Sequence, residues 1–181
     1  KDGSKCIIIY RAEEMDKLIL HELIHFFRID FKIIYYNLSE IINVKSSLEF
    51  IPNEAYTELI TIILHSNLMS LEIYNNTKYS SRILNIEILF GLFQCAKLLF
   101  HYNYPDIDTF FIPYSQTQYH PHFYQNSCII SYFFIKISLL INLDQTTQFL
   151  DSYMNDFKVN TSTESKKQFI ELIKTSISNS V

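Results

Sequence analysis

The chain has 181 residues, of which 48% are hydrophobic and 19% charged, so it is long enough for one folded domain and too short to expect two. This balance excludes a disordered chain. The formal net charge is −4 and no segment clusters lysine and arginine, so nucleic-acid binding is not expected. The three cysteines, Cys6, Cys95 and Cys128, form no CxxC pair. This pattern excludes a disulfide framework and favours a reducing, cytoplasmic compartment.

The first third of the chain predicts one strand and one helix. Residues 6–10 form a β-branched run after Gly3 and predict a short buried strand. Residues 12–29 predict a helix with acidic side chains in its first turns, where the helix dipole favours negative charge. Residues 31–50 are harder to assign, and a short helix at 38–44 is one alternative.

The rest of the chain predicts further helices. Pro52 opens one that runs to about Tyr74, and three polar residues from Asn75 onward end it. Later helices are expected at about 80–102, 126–143, 144–156 and 161–178, separated by an irregular segment at 103–125 that contains three prolines. The most apolar runs, 86–100 and 128–143, contain polar residues and are too short for a membrane span. We expect both to be buried helices.

One short motif carries the functional argument. His21-Glu22-Leu23-Ile24-His25 is an HExxH sequence, and on a helix its two histidines share one face, so that they can bind one metal ion beside Glu22. The neighbouring residues are apolar on nearly every side, which indicates a buried helix. Burying two histidines and a glutamate is costly unless each finds a partner, and zinc would serve all three. The alternative is a pair of core histidines that bond to backbone carbonyls.

A catalytic zinc site needs a third protein ligand and an open position. Glu54, at the start of the next helix, is the next candidate in the chain. Glu58 lies one turn further along the same face, where it could accept a hydrogen bond from the outer ring nitrogen of a ligand histidine.

HELIH followed by NEAYTE resembles the gluzincins, the thermolysin-like branch of the HExxH metallopeptidases. The resemblance covers about residues 7–60, and the sequence is also similar to uncharacterised peptidase-like proteins of giant DNA viruses. The resemblance to gluzincins implies a single zincin-like domain over 1–181 as part of a longer chain. Its fold would be mainly α with a small β element. Residues 1–75 would bind zinc, and residues 80–181 would form a helical lobe. Asn53 belongs to the second motif, and the resemblance assigns these roles to the other residues of the two motifs: His21, His25 and Glu54 as zinc ligands, Glu22 as the general base, and Glu58, in place of the usual aspartate, as the residue that orients a ligand histidine.

The resemblance also implies a reaction, the hydrolysis of a peptide bond in a peptide or protein substrate. Zinc would activate a water molecule and Glu22 would carry its proton to the leaving amine. In gluzincins a tyrosine or histidine from the later lobe stabilises the oxyanion, and the irregular segment offers His120 or His122, then Tyr119 or Tyr124. Gluzincins also hold the substrate on an edge strand, for which this chain offers only residues 6–10.

Two other interpretations remain open from the sequence. The first is a protein that keeps zinc for structure, in which case the fourth coordination position would be covered. The second is a helical interaction module without zinc, in which HELIH is accidental. The oligomeric state is not determined by the sequence.

Overall fold

The computed structural model describes residue 7 and residues 12–30, 39–40, 42–45, 51–155, 158–159 and 162–179. Its helices, in chain order, have the following bounds: α1 Met15–Phe26, α2 Pro52–Tyr74, α3 Ser80–His101, α4 Ile107–Phe110, α5 Lys136–Ile141, α6 Leu143–Tyr153 and α7 Thr163–Ser178. A 3-10 turn, Ala12–Glu14, precedes α1, and a π-helical segment, Ile130–Ile135, leads directly into α5.

The predicted class, mainly α with a small β element before the zinc helix, is wrong in its β part. The described chain is helical, and its only extended pairing joins two residues, Met154–Asn155, to two others, Lys158–Val159. That pairing follows α6, far along the chain from the predicted strand. The strand at residues 6–10 lies outside the described residues except for Ile7, which has no regular structure. The alternative of a short helix at 38–44 is also wrong where the structure describes it, because residues 39–40 and 42–44 form turns and bends.

Helix α2 is the centre of the fold, and local sequence signals define its ends. Pro52 occupies its first turn, where a fixed φ and a missing N–H cost nothing. At the other end Asn75 adopts the left-handed conformation, with φ of 48°, and donates its N–H to the carbonyl of Leu71. Asparagine tolerates this conformation better than most residues, so the predicted bounds of the helix are confirmed.

The core forms where α2 meets the C-terminal helices. Tyr56 of α2 packs edge to face on Phe169 of α7, with ring centroids 5.9 Å apart, and Phe149 of α6 completes the cluster at 5.6 Å from Phe169. A second aromatic cluster stacks Phe110 of α4 on Phe134 of the π-helical segment at 4.1 Å. The π-helical segment also packs directly against α2, which matters for the site described below.

The two apolar runs differ in their burial. The second is buried as expected, with Ile130, Phe134 and Ile135 at most 3% exposed. The first belongs to the 25-residue helical stretch Thr77–His101, whose most apolar 18-residue window has a mean hydropathy of 1.7. The stretch is apolar and long enough to cross a membrane by length and composition alone. Only 17% of its most apolar window is buried. The expectation of burial is therefore wrong for α3.

Helix α3 approaches α5 closely at Gly91. A Cβ atom at this position would lie 2.0 Å from Cδ1 and 2.7 Å from Cγ1 of Ile137. We expect Gly91→Ala to lower the free energy of unfolding by about 1 kcal/mol, because overpacking costs more than the gain in helix propensity. Thermal unfolding measures the effect. Adding Ile137→Val removes Cδ1, the nearer of the two atoms, and should recover part of the loss, whereas an unchanged or higher Tm for Gly91→Ala alone would contradict the close packing.

Candidate metal centre

The HExxH residues lie on α1, against the first turns of α2. His21 is 8% exposed and Ile24 3% exposed, so the helix buries the face that carries His21. The Nε2 atoms of His21 and His25 are 3.1 Å apart, and each is 3.6 Å from Oε2 of Glu54. The structure therefore brings the three sequence-predicted ligands together, one ligand atom each, from two separate helices.

This triangle of atoms has the dimensions of a zinc site. Ligand atoms about 2.0–2.1 Å from a tetrahedral zinc ion lie about 3.4 Å from one another, close to the observed separations of 3.1 and 3.6 Å. Two imidazole nitrogens and a carboxylate oxygen are also the donor set that zinc takes in catalytic sites. The residues present fit the ion.

Each histidine has a carboxylate on its outer ring nitrogen. Nδ1 of His21 lies 2.9 Å from Oε1 of Glu58, and Nδ1 of His25 lies 3.0 Å from Oδ2 of Asp30. Such contacts fix the tautomer and direct the opposite nitrogen, Nε2, toward a metal. Glu58 occupies the orienting position predicted from NEAYTE, and Asn53 of the same motif donates to Asp30 at 3.4 Å.

Asp30 reaches His25 because α1 ends in a sharp reversal. Arg28 adopts a left-handed φ of 55°, and the N–H of Ile29 bonds to the carbonyl of Ile24. This is a Schellman turn, in which glycine is the usual residue at the left-handed position. The sequence carries no glycine here. No local signal therefore predicts that the chain reverses after α1 and brings Asp30 against His25.

Tyr132 is a further residue of the site that the sequence did not predict. Its hydroxyl donates a hydrogen bond of 2.9 Å to Oε2 of Glu54. Ser131, its buried neighbour, donates to the carbonyl of Ile51 just before α2, which clamps the π-helical segment over the start of that helix. π-helical turns are frequent at functional sites, where they redirect a side chain. The apolar run 128–143 gave no sign that its single tyrosine faces the site.

The electrostatics of the site favour a cation. Burial alone would raise the pKa of Glu54, but hydrogen bonds from His25 and Tyr132 hold that pKa below its usual value. Burial likewise opposes ionisation of Glu58, yet contacts with His21 and Lys136 lower its pKa. Asp30 adds a third ionised carboxylate, and the buried cation beside them is Lys136, 3.9 Å from Glu58. The surplus negative charge suits a divalent ion.

A cleft of about 600 Å³ adjoins the metal centre, and Glu22 and Tyr132 both line it. Glu22 is half-buried there, beside His21. Apolar side chains such as Leu18, Phe90 and Phe133 form part of the same wall. Of the three ligand residues, His21 lines the cleft as well, so a molecule entering it would meet the general-base candidate and the tyrosine hydroxyl beside His21.

The irregular segment lies elsewhere. Tyr119 donates its hydroxyl to the carbonyl of Asn103, and His120 stacks on Tyr114 with ring centroids 4.0 Å apart. His122 and Tyr124 are exposed. None of these four sequence-predicted candidates is among the described residues that line the cleft, so the structure does not bring them to the metal centre.

Asp30, the carboxylate on the outer ring nitrogen of His25, should control metal affinity. We expect Asp30→Asn to weaken zinc binding to the deprotonated site about 10- to 100-fold, because an amide orients the imidazole but makes it less basic. Affinities measured at several pH values separate this loss from the lower pKa of His25 that the same change causes. Competition with a fluorescent chelator measures the change. Asp16→Asn, an exposed carboxylate on the same helix, is the matched control and should bind zinc as the wild type does; an equal loss in both variants would contradict a specific role for Asp30.

Zinc affinity should also depend steeply on pH. Hydrogen bonds to Asp30 and then to Glu54 raise the pKa of His25 to about 10 in the metal-free protein. At neutral pH His25 is therefore protonated, and it must lose this proton to bind a metal. We expect affinity to rise about tenfold per pH unit between pH 7 and 9. Calorimetry in buffers of different ionisation enthalpy should detect about one released proton, and release of none would contradict the raised pKa.

The comparisons with known proteins give little beyond this geometry. No known protein family and no solved structure matches the chain. A protein of Acanthamoeba polyphaga mimivirus, named only as uncharacterized, is 27% identical over 199 residues. The match covers 97% of this chain and 47% of that protein, so the chain spans about half the length of its curated relative. The name of that giant-virus protein assigns no activity.

Proposed function

We propose that this chain is a zinc-dependent metallopeptidase of the gluzincin type, acting on a peptide or protein substrate. The observation that carries the proposal is the convergence of Nε2 of His21, Nε2 of His25 and Oε2 of Glu54 within 3.1–3.6 Å, beside a cleft that contains Glu22. The carboxylates on both outer ring nitrogens support it, because they direct both imidazoles toward the same point.

In the proposed reaction, zinc held by these three residues supplies Lewis acidity toward the scissile carbonyl and the attacking water. Glu22 accepts the proton of that water and delivers it to the leaving amine. Glu58 and Asp30 hold the two imidazoles in place throughout. Leu18 and Phe133 offer apolar contacts to substrate side chains in the cleft.

Tyr132 is the residue that we assign to the oxyanion. Its hydroxyl lies at the metal centre and donates to Oε2 of Glu54 at 2.9 Å, and in the proposed reaction this single proton turns from the carboxylate to the oxyanion. Burial, followed by the charge of Glu54, raises the pKa of Tyr132, so its hydroxyl stays protonated and remains a donor. A donor placed next to the ligands is where a tetrahedral intermediate would need one. We therefore replace the candidates from the irregular segment with Tyr132 in this proposal.

The open cleft also separates this proposal from a purely structural zinc site. Structural sites are closed by a fourth protein ligand. Among the described residues the clustered metal-ligating groups are His21, His25 and Glu54, three rather than four. The cleft next to them leaves room for water and substrate.

Metal content and hydrolysis test the proposal together. Purified protein should contain one zinc ion per chain, and it should cleave peptides from a mixed-sequence library, with activity lost on chelation and restored by zinc. His25→Ala should abolish both the metal and the cleavage. Protein that folds but contains no stoichiometric zinc would refute the proposal, and zinc without cleavage would favour the structural alternative.

A further inference from the structure

The exposed face of α3 is unusually apolar for a protein surface. Five large side chains point outward over four turns: Ile86 66% exposed, Leu89 67%, Phe90 59%, Phe93 61% and Phe100 85%. We refer to these five residues as the α3 face. The opposite side of the helix packs into the fold through Gly91, Cys95 and Leu99, so one face of α3 is buried and the other is exposed.

The apolar area of the α3 face accounts for most of what an interface requires. Phenylalanines bury about 150–250 Å² each, so the three in the face expose roughly 400 Å². Ile86 and Leu89 bring the apolar area to roughly 600 Å², whereas a specific interface buries about 800 Å² per partner, including its polar rim. The largest patch on an ordinary monomer is about 300–600 Å², which puts the α3 face at the upper end.

We infer that the α3 face is the contact surface of a symmetric dimer, in which α3 of one copy packs antiparallel on α3 of a second copy. A twofold axis at Phe93 places Phe100 of each chain opposite Ile86 of the other. It also places Lys97 opposite Leu89. In such an isologous contact each patch meets its own equivalent, so Phe93 packs on Phe93 of the other copy and Ile86 packs on Phe100.

The charges around the face match this arrangement. Ile86 and Phe90 border a recess whose lining is acidic on balance, with Lys17 among the acidic residues Glu13, Glu14, Asp16, Glu72 and Glu87. Lys97 lies three turns from Ile86 along α3, at the other end of the face. Antiparallel packing brings Lys97 of one copy toward this acidic edge of the other, twice per dimer, and charge complementarity of this kind fixes the register of an interface.

The same charges disfavour an anionic membrane as the partner. The acidic edge formed by Glu13, Asp16 and Glu72 would repel lipid headgroups of like charge. A membrane span would require α3 to leave its packing against α5, where Gly91 meets Ile137. A second copy of the chain both covers the apolar area and brings Lys97 to the acidic edge.

Light scattering and sedimentation over a wide range of concentrations test the inference. The wild-type chain should be a dimer, and Phe93→Glu, which places two carboxylates at the twofold axis, should raise the dimer Kd more than about a hundredfold. Ile107→Glu, a matched change at an exposed residue of α4, should leave the dimer intact. Circular dichroism checks that each variant folds.

A charge exchange makes the test specific for the antiparallel register. Lys97→Glu alone should weaken the dimer several-fold, and Lys97→Glu combined with Glu72→Lys should restore it. Three results would overturn the inference: a wild-type chain that is monomeric throughout, a Phe93→Glu variant that still dimerises, or a monomer that sediments with vesicles of phosphatidylcholine and phosphatidylserine through the α3 face.

Discussion

Glu22→Gln should lower kcat for peptide hydrolysis about 100- to 10,000-fold and leave zinc bound. Glutamine has nearly the same shape as glutamate but cannot accept the proton of the attacking water. The three ligand atoms of His21, His25 and Glu54 are not altered by the change. Steady-state kinetics on a cleavable peptide, together with metal analysis of the same sample, measures both outcomes.

The matched control for this prediction is Glu13→Gln. Glu13 is exposed in the turn before α1 and is not among the described residues of the cleft that contains Glu22, so its loss should change kcat little. Hydrolysis by Glu22→Gln at the wild-type rate would exclude Glu22 as the base even if zinc is present. Loss of zinc in this variant would mean that the substitution disturbs α1, and His21 would then need to be examined for altered packing.

The sequence predicted most helices because their ends carry local signals. Pro52 at the first turn and Asn75 at the left-handed end define α2 without any tertiary information. Ser162 caps α7 by accepting a hydrogen bond from the N–H of Ser165. Where such signals were weak the prediction failed, as at residues 38–44.

The metal ligands could also be predicted, but the residues around them could not. HExxH and the following glutamates specify a chemistry by their spacing on helices. Asp30 and Tyr132, in contrast, reach the site through a left-handed arginine and through a π-helical turn. Both features depend on how α1 and the π-helical segment pack on α2, and no short stretch of sequence records that packing.

The expectation that α3 is buried was wrong for a related reason. Its apolar residues occupy both faces, and composition alone cannot tell a core helix from one whose second face meets a partner. Gly91, Cys95 and Leu99 satisfy the intramolecular face, and Leu89 and Phe93 lie on the other. A high hydropathy therefore indicates that a segment contacts other apolar groups. It does not show how many of those groups belong to the same fold and how many belong to a partner.

Tyr132→Phe should lower kcat about 100- to 1,000-fold, the usual cost of removing one oxyanion donor. KM should change little, because the ring that lines the cleft remains. The hydroxyl also donates to Glu54, so zinc affinity must be measured alongside the kinetics, and the comparison is made at saturating zinc.

Tyr119→Phe is the decisive comparison for this prediction. Tyr119 belongs to the irregular segment that the sequence favoured, but its hydroxyl donates to the backbone of Asn103 rather than lining the cleft. We expect this variant to retain wild-type kcat. If Tyr119→Phe is inactive and Tyr132→Phe is active, a movement of the irregular segment onto the cleft must accompany substrate binding, and the assignment of Tyr132 is wrong. If both variants keep full activity, zinc itself must provide the oxyanion stabilisation, since neither hydroxyl then contributes to it.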